Sequence, residues 1–230
     1  MYKVAVIIPS AGSGKRFKSE LPKPYVLLKG RPILQRTVDL FTSIPSVKQI
    51  IIPTSKALQE RSRELFRDYS LPVNVIEGGS TRQYSIQNAI SHIDENIDLI
   101  AVHDAVRPFV TKKTVENCCE EALNVGGAVV GIKVKDTIKK VDQNRFVIET
   151  PDRNTLWQCQ TPQIFRKNIF IEAYEHAYKN KFIGTDDASV VEFYGKPVKM
   201  IEGNSENIKI TYPLDLLIAE SLIQNEITGN

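Results

Sequence analysis

A chain of 230 residues has room for one large α/β domain, and with 42% hydrophobic residues and a mean hydropathy of −0.21 it can bury an ordinary core. Its net charge of +3 is too small to argue for nucleic acid or an anionic membrane as a partner, so basic residues matter only where they cluster. No apolar run is long enough to span a bilayer. Met1-Tyr2-Lys3 leads straight into an apolar segment, without a signal-peptide pattern. The cysteines Cys118, Cys119 and Cys159 lack metal-site spacing and read as small buried residues in a reducing cytoplasm.

In chain order, Val4–Ile8 reads as a buried strand. It empties into Pro9-Ser10-Ala11-Gly12-Ser13-Gly14-Lys15-Arg16, followed by Leu21-Pro22-Lys23-Pro24. Small residues let backbone N–H groups approach a ligand closely. Lys15, Arg16, Lys18 and Lys23 add positive charge against Glu20 alone, so the loop suits a polyphosphate. It is not a P-loop, because Pro9 stands five residues before Gly14 and Arg16 replaces the Ser/Thr. It also fails the dinucleotide fingerprint, since Phe17 occupies the place of the third small residue. A glycine-rich turn with solvated lysines remains the plain alternative at this point.

Next come a helix over Ile33–Phe41, a strand over Val47–Ile52 and a charged helix over Lys56–Tyr69. A strand over Val73–Ile76 precedes a helix over Thr81–Ile93, capped by Ser80 or Thr81. Leu99–His103 reads as a strand, Lys113–Val125 as a helix opened by Thr111 or Thr114, and Ala128–Ile132 as a strand. This βαβα rhythm predicts an α/β fold, a doubly wound, mainly parallel sheet with helices on both faces. The rhythm breaks at Lys133–Asn154, where charged and apolar residues alternate about a turn at Asp142-Gln143-Asn144. A projecting β-hairpin arm that packs on another subunit fits this segment, which has too little apolar bulk for a core of its own. Helices over Lys167–Tyr178 and Asp186–Phe193, strands over Val198–Ile201 and Ile208–Ile210, and a helix over Pro213–Leu222 complete one domain, 1–230, with 133–154 as its arm.

In a doubly wound sheet, ligands bind beyond the carboxyl ends of the strands. Polar clusters at those ends are Ser10–Lys23, then Gly78-Gly79-Ser80-Thr81-Arg82 with Ser85 one turn along, then His103–Pro108. The glycines could admit a flat base. Asp104 could hold Mg²⁺, which takes a few carboxylate oxygens plus phosphates, or could cap a turn. His103 has no partner at ligand spacing and reads as structural. Further clusters are Pro151–Asn154 with Trp157–Gln163, Thr185-Asp186-Asp187, where a helix cap is the plain reading, and Glu206–Thr211. Trp157 reads as a core residue. No nucleophile–base pair stands out. Scattered cations and small-residue loops fit phosphoryl or nucleotidyl transfer, in which catalysis is chiefly positioning and charge stabilisation.

Taken together, Pro9–Lys23, Gly78–Ser85, Val102–Pro108, Asp136-Thr137, Asp152–Pro162, Thr185–Ala188 and Asn207–Thr211 resemble the 2-C-methyl-D-erythritol 4-phosphate cytidylyltransferase family. The resemblance implies a Rossmann-like nucleotidyltransferase domain, a homodimer joined by hairpin arms, CTP and a polyol phosphate as substrates, and Mg²⁺. Under it, Arg16, Lys23 and Lys209 stabilise the phosphates and the transition state. Ser10, Ala11, Gly12, Gly14, Gly79, Ser80 and Ser85 line the nucleotide. Asp104, Arg107 and Thr161 sit at the acceptor, Asp104 also near the metal. Thr137 and Arg153 reach into the partner's site to bind the acceptor phosphate. Ser10 stands where the family usually has Ala, and Ser80 where an acidic residue is common. A ribitol-5-phosphate cytidylyltransferase has a similar fold, and a nucleotide-binding homologue without turnover belongs to another class; both remain alternatives to the methylerythritol enzyme.

Overall fold

The apolar run at the start of the chain becomes an interior strand of a seven-stranded sheet. In the computed structural model, which describes residues 2–12 and 21–228, β1 (Val4–Ile7) pairs in parallel with β4 (Val47–Thr54) and β6 (Leu99–Val102). A short hairpin of β2 (Leu27–Leu28) and β3 (Arg31–Pro32) leads into α1 (Ile33–Thr42). β4 is followed by α2 (Gln59–Phe66), β5 (Val73–Glu77) and α3 (Arg82–Ile90). After β6 come α4 (Lys112–Val125), β7 (Gly127–Lys133), the hairpin of β8 (Lys140–Val141) and β9 (Val147–Glu149), and β10 (Trp157–Arg166). The chain closes with α5 (Lys167–Lys179), α6 (Asp187–Phe193), β11 (Lys199–Glu202) and α7 (Pro213–Thr228).

The sheet order is β11-β7-β10-β6-β1-β4-β5, with β10 antiparallel to both of its neighbours. Side chains on a strand alternate between faces, and the core divides accordingly. Val6, Ile8, Ile50, Ile52 and Ala101 face one way, onto α1 and α4 through Leu34, Val38, Phe41, Val115 and Cys118. Ile7, Ile51, Ile100 and Val102 face the other way, onto α3, α5 and α6 through Ile86, Phe170, Tyr174 and Val190. Both faces are thus covered, as a mainly parallel sheet requires. Helix starts follow local chemistry: Thr81 Oγ1 accepts from Tyr84 N–H at 3.2 Å, and Thr111 Oγ1 from Thr114 N–H at 3.1 Å. Gly126, at φ 107°, ends α4 in a conformation that costs other residues more.

Several readings need correction. β10 lies inside the sheet, although Trp157–Gln163 read only as a polar cluster. Ile208–Ile210 form no strand; Ile210 N–H instead donates to Val106 C=O at 3.0 Å, fixing this segment beside the loop after β6. Cys118 and Cys119 are buried as expected, but Cys159 is exposed. Trp157 is only half-buried, with Lys133 Nζ 5.7 Å from its ring centre. The hairpin over 133–154 is present, and every residue from Lys135 to Thr150 is exposed. No helix among the described residues is long and apolar enough to cross a membrane.

Candidate functional site

A cavity of about 620 Å³ opens beyond the carboxyl ends of β1, β5 and β6. Its first wall is Pro9–Gly12, directly after β1. Ser10 is buried, its N–H donates to Pro53 C=O at 2.8 Å, and its hydroxyl donates to the same carbonyl at 3.3 Å. That hydroxyl therefore fixes the loop to β4. Among the described residues, a Cβ at Gly12 would meet nothing within 4 Å, and this stretch of backbone faces the cavity.

The second wall is Gly79–Arg82 and Ser85 at the start of α3. Ser85 Oγ accepts from Gly79 N–H at 3.0 Å and donates to Thr81 C=O at 2.8 Å. It organises the turn from behind. A Cβ on Gly79 would come within 2.5 Å of Tyr84 Cβ, so glycine is required there by the close packing of loop on helix. Ser80 is exposed at the rim. Lys23 faces the cavity from the 3-10 turn Lys23–Tyr25. The buried Tyr25 hydroxyl shares a 2.6 Å hydrogen bond with Ser62 Oγ of α2, which anchors the lysine's turn.

The floor is built round Asp104. Lys209 Nζ lies 3.0 Å from Asp104 Oδ2, Arg107 Nε lies 3.1 Å from the same oxygen, and Arg82 Nε lies 4.0 Å from Oδ1. Burial opposes the charge on Asp104, but Lys209, Arg82 and Arg107 outweigh it and hold the carboxyl well below the usual carboxylate range. Arg107 also donates to Asn207 C=O at 2.7 Å. It clamps the floor from beneath and does not line the cavity.

Behind Asp104 runs a hydrogen-bond chain. Asp104 N–H donates to Thr161 Oγ1 at 3.0 Å, Thr161 Oγ1 lies 3.1 Å from His103 Nδ1, and His103 Nε2 lies 2.9 Å from Arg107 C=O. The carbonyl can only accept, so Nε2 carries the proton and Nδ1 accepts from the threonine hydroxyl. Burial lowers the His103 pKa to about 4, in keeping with a neutral ring. His103 is structural, as the sequence suggested, and Thr161 is buried in support of Asp104 rather than in the cavity lining.

The structure thus brings together Ser10, Ala11, Gly12, Lys23, Gly79, Ser80, Ser85, Asp104 and Lys209 from separate loops. Thr137 and Arg153 lie on the exposed arm and do not line their own chain's cavity; Arg153 Nη1 donates to Lys135 C=O at 3.1 Å. Gly14 and Arg16 lie outside the described residues. Arg82 was not singled out from the sequence, yet it lines the cavity and donates from Nη2 to Asp187 Oδ2 at 2.7 Å. Its signal, an arginine just inside a helix that opens after a glycine pair, was present but nonspecific.

No group of three or more His, Cys, Asp or Glu side chains suited to a metal occurs among the described residues. Asp104 is a single carboxylate already paired with cations. A Mg²⁺ ion fits here only with most of its coordination supplied by phosphates and water, which is the usual habit of this ion.

The 2-C-methyl-D-erythritol 4-phosphate cytidylyltransferase family model matches residues 4–225. A protein of that name from Caldanaerobacter subterraneus is 40% identical over 225 residues, covering 96% of this chain and 99% of its own length. Another from Bacillus cereus is 41% identical over 220 residues, covering 95% and 96%. Among solved structures, 4-diphosphocytidyl-2C-methyl-D-erythritol synthase from Anaerococcus prevotii superposes with a TM-score of 0.88 at 29% identity, covering 97% of this chain and 96% of its own. The 2-C-methyl-D-erythritol 4-phosphate cytidylyltransferase of Francisella tularensis gives 0.82 at 31% identity, covering 95% and 99%.

Proposed function

The chain belongs to the 2-C-methyl-D-erythritol 4-phosphate cytidylyltransferase family, and we propose that its cavity transfers a cytidylyl group from CTP to 2-C-methyl-D-erythritol 4-phosphate. The observation that carries this reading is the meeting of small-residue backbone at Ala11–Gly12 with Lys23, Arg82 and Lys209 in one cavity. Such an array suits a ligand with several anionic oxygens.

The acceptor phosphate is anionic at neutral pH, so its oxygen can attack the α-phosphorus of CTP without a general base. The new P–O bond forms as the bond to the β-phosphate oxygen breaks, and pyrophosphate leaves with the electron pair. Charge shifts onto the leaving and equatorial oxygens, and Lys23 and Lys209 are placed to offset it. The family resemblance gives the same role to Arg16, which lies in sequence between Gly12 and Lys23. Asp104 holds Lys209 in place. Asp104 would help to hold Mg²⁺, which when bound would supply further neutralisation of the triphosphate.

The arm supports a homodimer. Phe146, Val147 and Ile148 are 72%, 59% and 60% exposed in the single chain, more apolar surface than a solvated hairpin needs. On a second copy, the arm would carry Thr137 and Arg153 to the neighbour's acceptor phosphate. Cytoplasmic location is supported by free thiols at all three cysteines. Mass spectrometry of a reaction with CTP, Mg²⁺ and methylerythritol phosphate tests the reading: a CDP-linked methylerythritol should accumulate with pyrophosphate, and CTP recovered unchanged would overturn it.

A further inference from the structure

Asp187, the first residue of α6, is fully buried, yet its carboxylate does not cap the helix. Asp186 does that: its Oδ1 accepts from Ser189 N–H at 2.9 Å, while Ser189 Oγ accepts from Asp186 N–H at 3.2 Å. The Asp187 carboxylate points instead towards α3 and α5. Its Oδ2 accepts from Arg82 Nη2 at 2.7 Å, and its Oδ1 from the buried Tyr174 hydroxyl at 2.6 Å.

An ionised carboxylate is costly to bury, and an apolar residue of similar size would fill the space without that cost. What the carboxylate adds is a fixed place for a guanidinium. Arg82 is that guanidinium, with its side chain 36% exposed against 0% for Asp187. Of its five N–H donors, Asp187 takes one, and Nε lies 4.0 Å from Asp104, beyond hydrogen-bond distance.

The anchorage is rigid. Next to Arg82, Gln83 donates to Phe182 C=O at 3.0 Å and accepts from Gly184 N–H at 2.9 Å, tying α3 to the segment before α6. Gln163 of β10 donates to Asp186 Oδ2 at 2.8 Å and accepts from Ala188 N–H at 2.9 Å. The start of α6 is therefore locked both to the sheet and to the helix that carries Arg82.

We propose that Asp187 is a positioning residue of the transfer reaction: with the Tyr174 hydroxyl, it holds the Arg82 guanidinium at the cavity, where Arg82 binds a phosphoryl oxygen of CTP or of the acceptor. The inference rests on the cytidylyl-transfer reading above. It assigns work to a buried acidic residue that would otherwise be a costly piece of packing.

A double-mutant cycle tests it. Asp187→Asn keeps the size and removes the charge, and should lower kcat/KM about tenfold. In an Arg82→Ala background the same change should cost nothing further, because Asp187 acts only through Arg82. A purely structural role would lower activity by the same factor in both backgrounds, and that result, or an unchanged kcat/KM in Asp187→Asn, overturns the proposal. If Arg82→Ala fails to fold, Arg82→Lys replaces it, and Asp187→Asn should cost less there than in the wild type, since lysine lacks the fork that serves two partners. If Asp187→Asn fails to fold, Tyr174→Phe takes its place, with a smaller loss that again vanishes without Arg82. Titrations with CTP alone and methylerythritol phosphate alone tell which phosphoryl group Arg82 meets. Should the wild type release no pyrophosphate, the transfer reading fails by itself. The cycle read in those two affinities then decides: coupling to Arg82 in either supports the proposal, and none in both overturns it.

Discussion

Lys209 Nζ stands 3.0 Å from Asp104 Oδ2, joining the segment before α7 to the loop after β6. Arg107 and Arg82 approach the same carboxylate from two other directions. One ionised carboxylate thus spaces three cations that would otherwise repel each other, and it does so before any anionic ligand arrives. Preorganisation of this kind lowers a barrier because little reorientation is left for the moment of reaction.

Asp104→Asn should therefore lower kcat on the order of a hundredfold, the scale expected when a preorganised charge array is broken. The change also has a pH signature. The folded pKa of Asp104 lies below its ordinary 3.8, so its contribution to stability is complete above 3.8 and is lost as pH falls further. The difference in unfolding free energy between wild type and variant, from denaturant titrations, should stay level from neutral pH to about 4 and shrink below it. A difference that shrinks well above that pH would mean that the cations do not hold the carboxylate.

Lys23 sits on a turn that the buried Tyr25 anchors through its hydrogen bond to Ser62. Lys23→Ala should cut kcat by on the order of a hundredfold or more while leaving the melting temperature nearly unchanged. Near-normal kcat would reduce the turn to a solvated loop.

His103 gives a second pH prediction. The unfolded ring takes a proton below about 6.5, but the buried ring does not until about 4. Stability from the neutral ring is fully present above 6.5 and is lost as pH falls towards 4, by roughly 3 kcal/mol for the histidine alone. His103→Gln should be less stable at neutral pH and should lack this slope. Parallel pH curves for the two proteins would contradict a neutral buried histidine.

The arm can be tested by mixing two inactive variants, Lys23→Ala and Arg153→Ala, and letting subunits exchange. In a heterodimer one site receives both defects and the other neither, so activity should return to about half the wild-type value per heterodimer if arms cross between subunits. If mass analysis shows exchange and no activity returns, Arg153 serves its own chain.

Much of this architecture was legible because local chemistry and tertiary packing agree. Val4–Ile8, Ile33–Phe41 and Lys113–Val125 carry clear apolar periods, and each element falls within a residue or two of its expected bounds. β10 was missed because its first half, Trp157–Gln160, is polar and carries Pro162 soon after, so nothing local marks it as a strand; pairing with β6 and β7 decides it. Ile208–Ile210 misled for the converse reason: an alternating apolar pattern there packs against Val106, Leu28 and Ile33 without any strand partner. In the site, Lys23, Asp104 and Lys209 could be found by charge at the ends of apolar runs. Ser10 and Ser85 line the cavity as expected, while their hydroxyls also hold its loops; Thr161 lies behind Asp104 instead of lining the cavity. Arg82 and Asp187 were hidden because their meaning is a contact across 105 positions of sequence.

Donor and acceptor are decided together by pyrophosphate release under matched conditions, with CTP, UTP or ATP as donor and methylerythritol 4-phosphate or ribitol 5-phosphate as acceptor. CTP with methylerythritol phosphate should give the highest kcat/KM. Equal or faster turnover with ribitol 5-phosphate, or a preference for UTP or ATP, would contradict the proposed function.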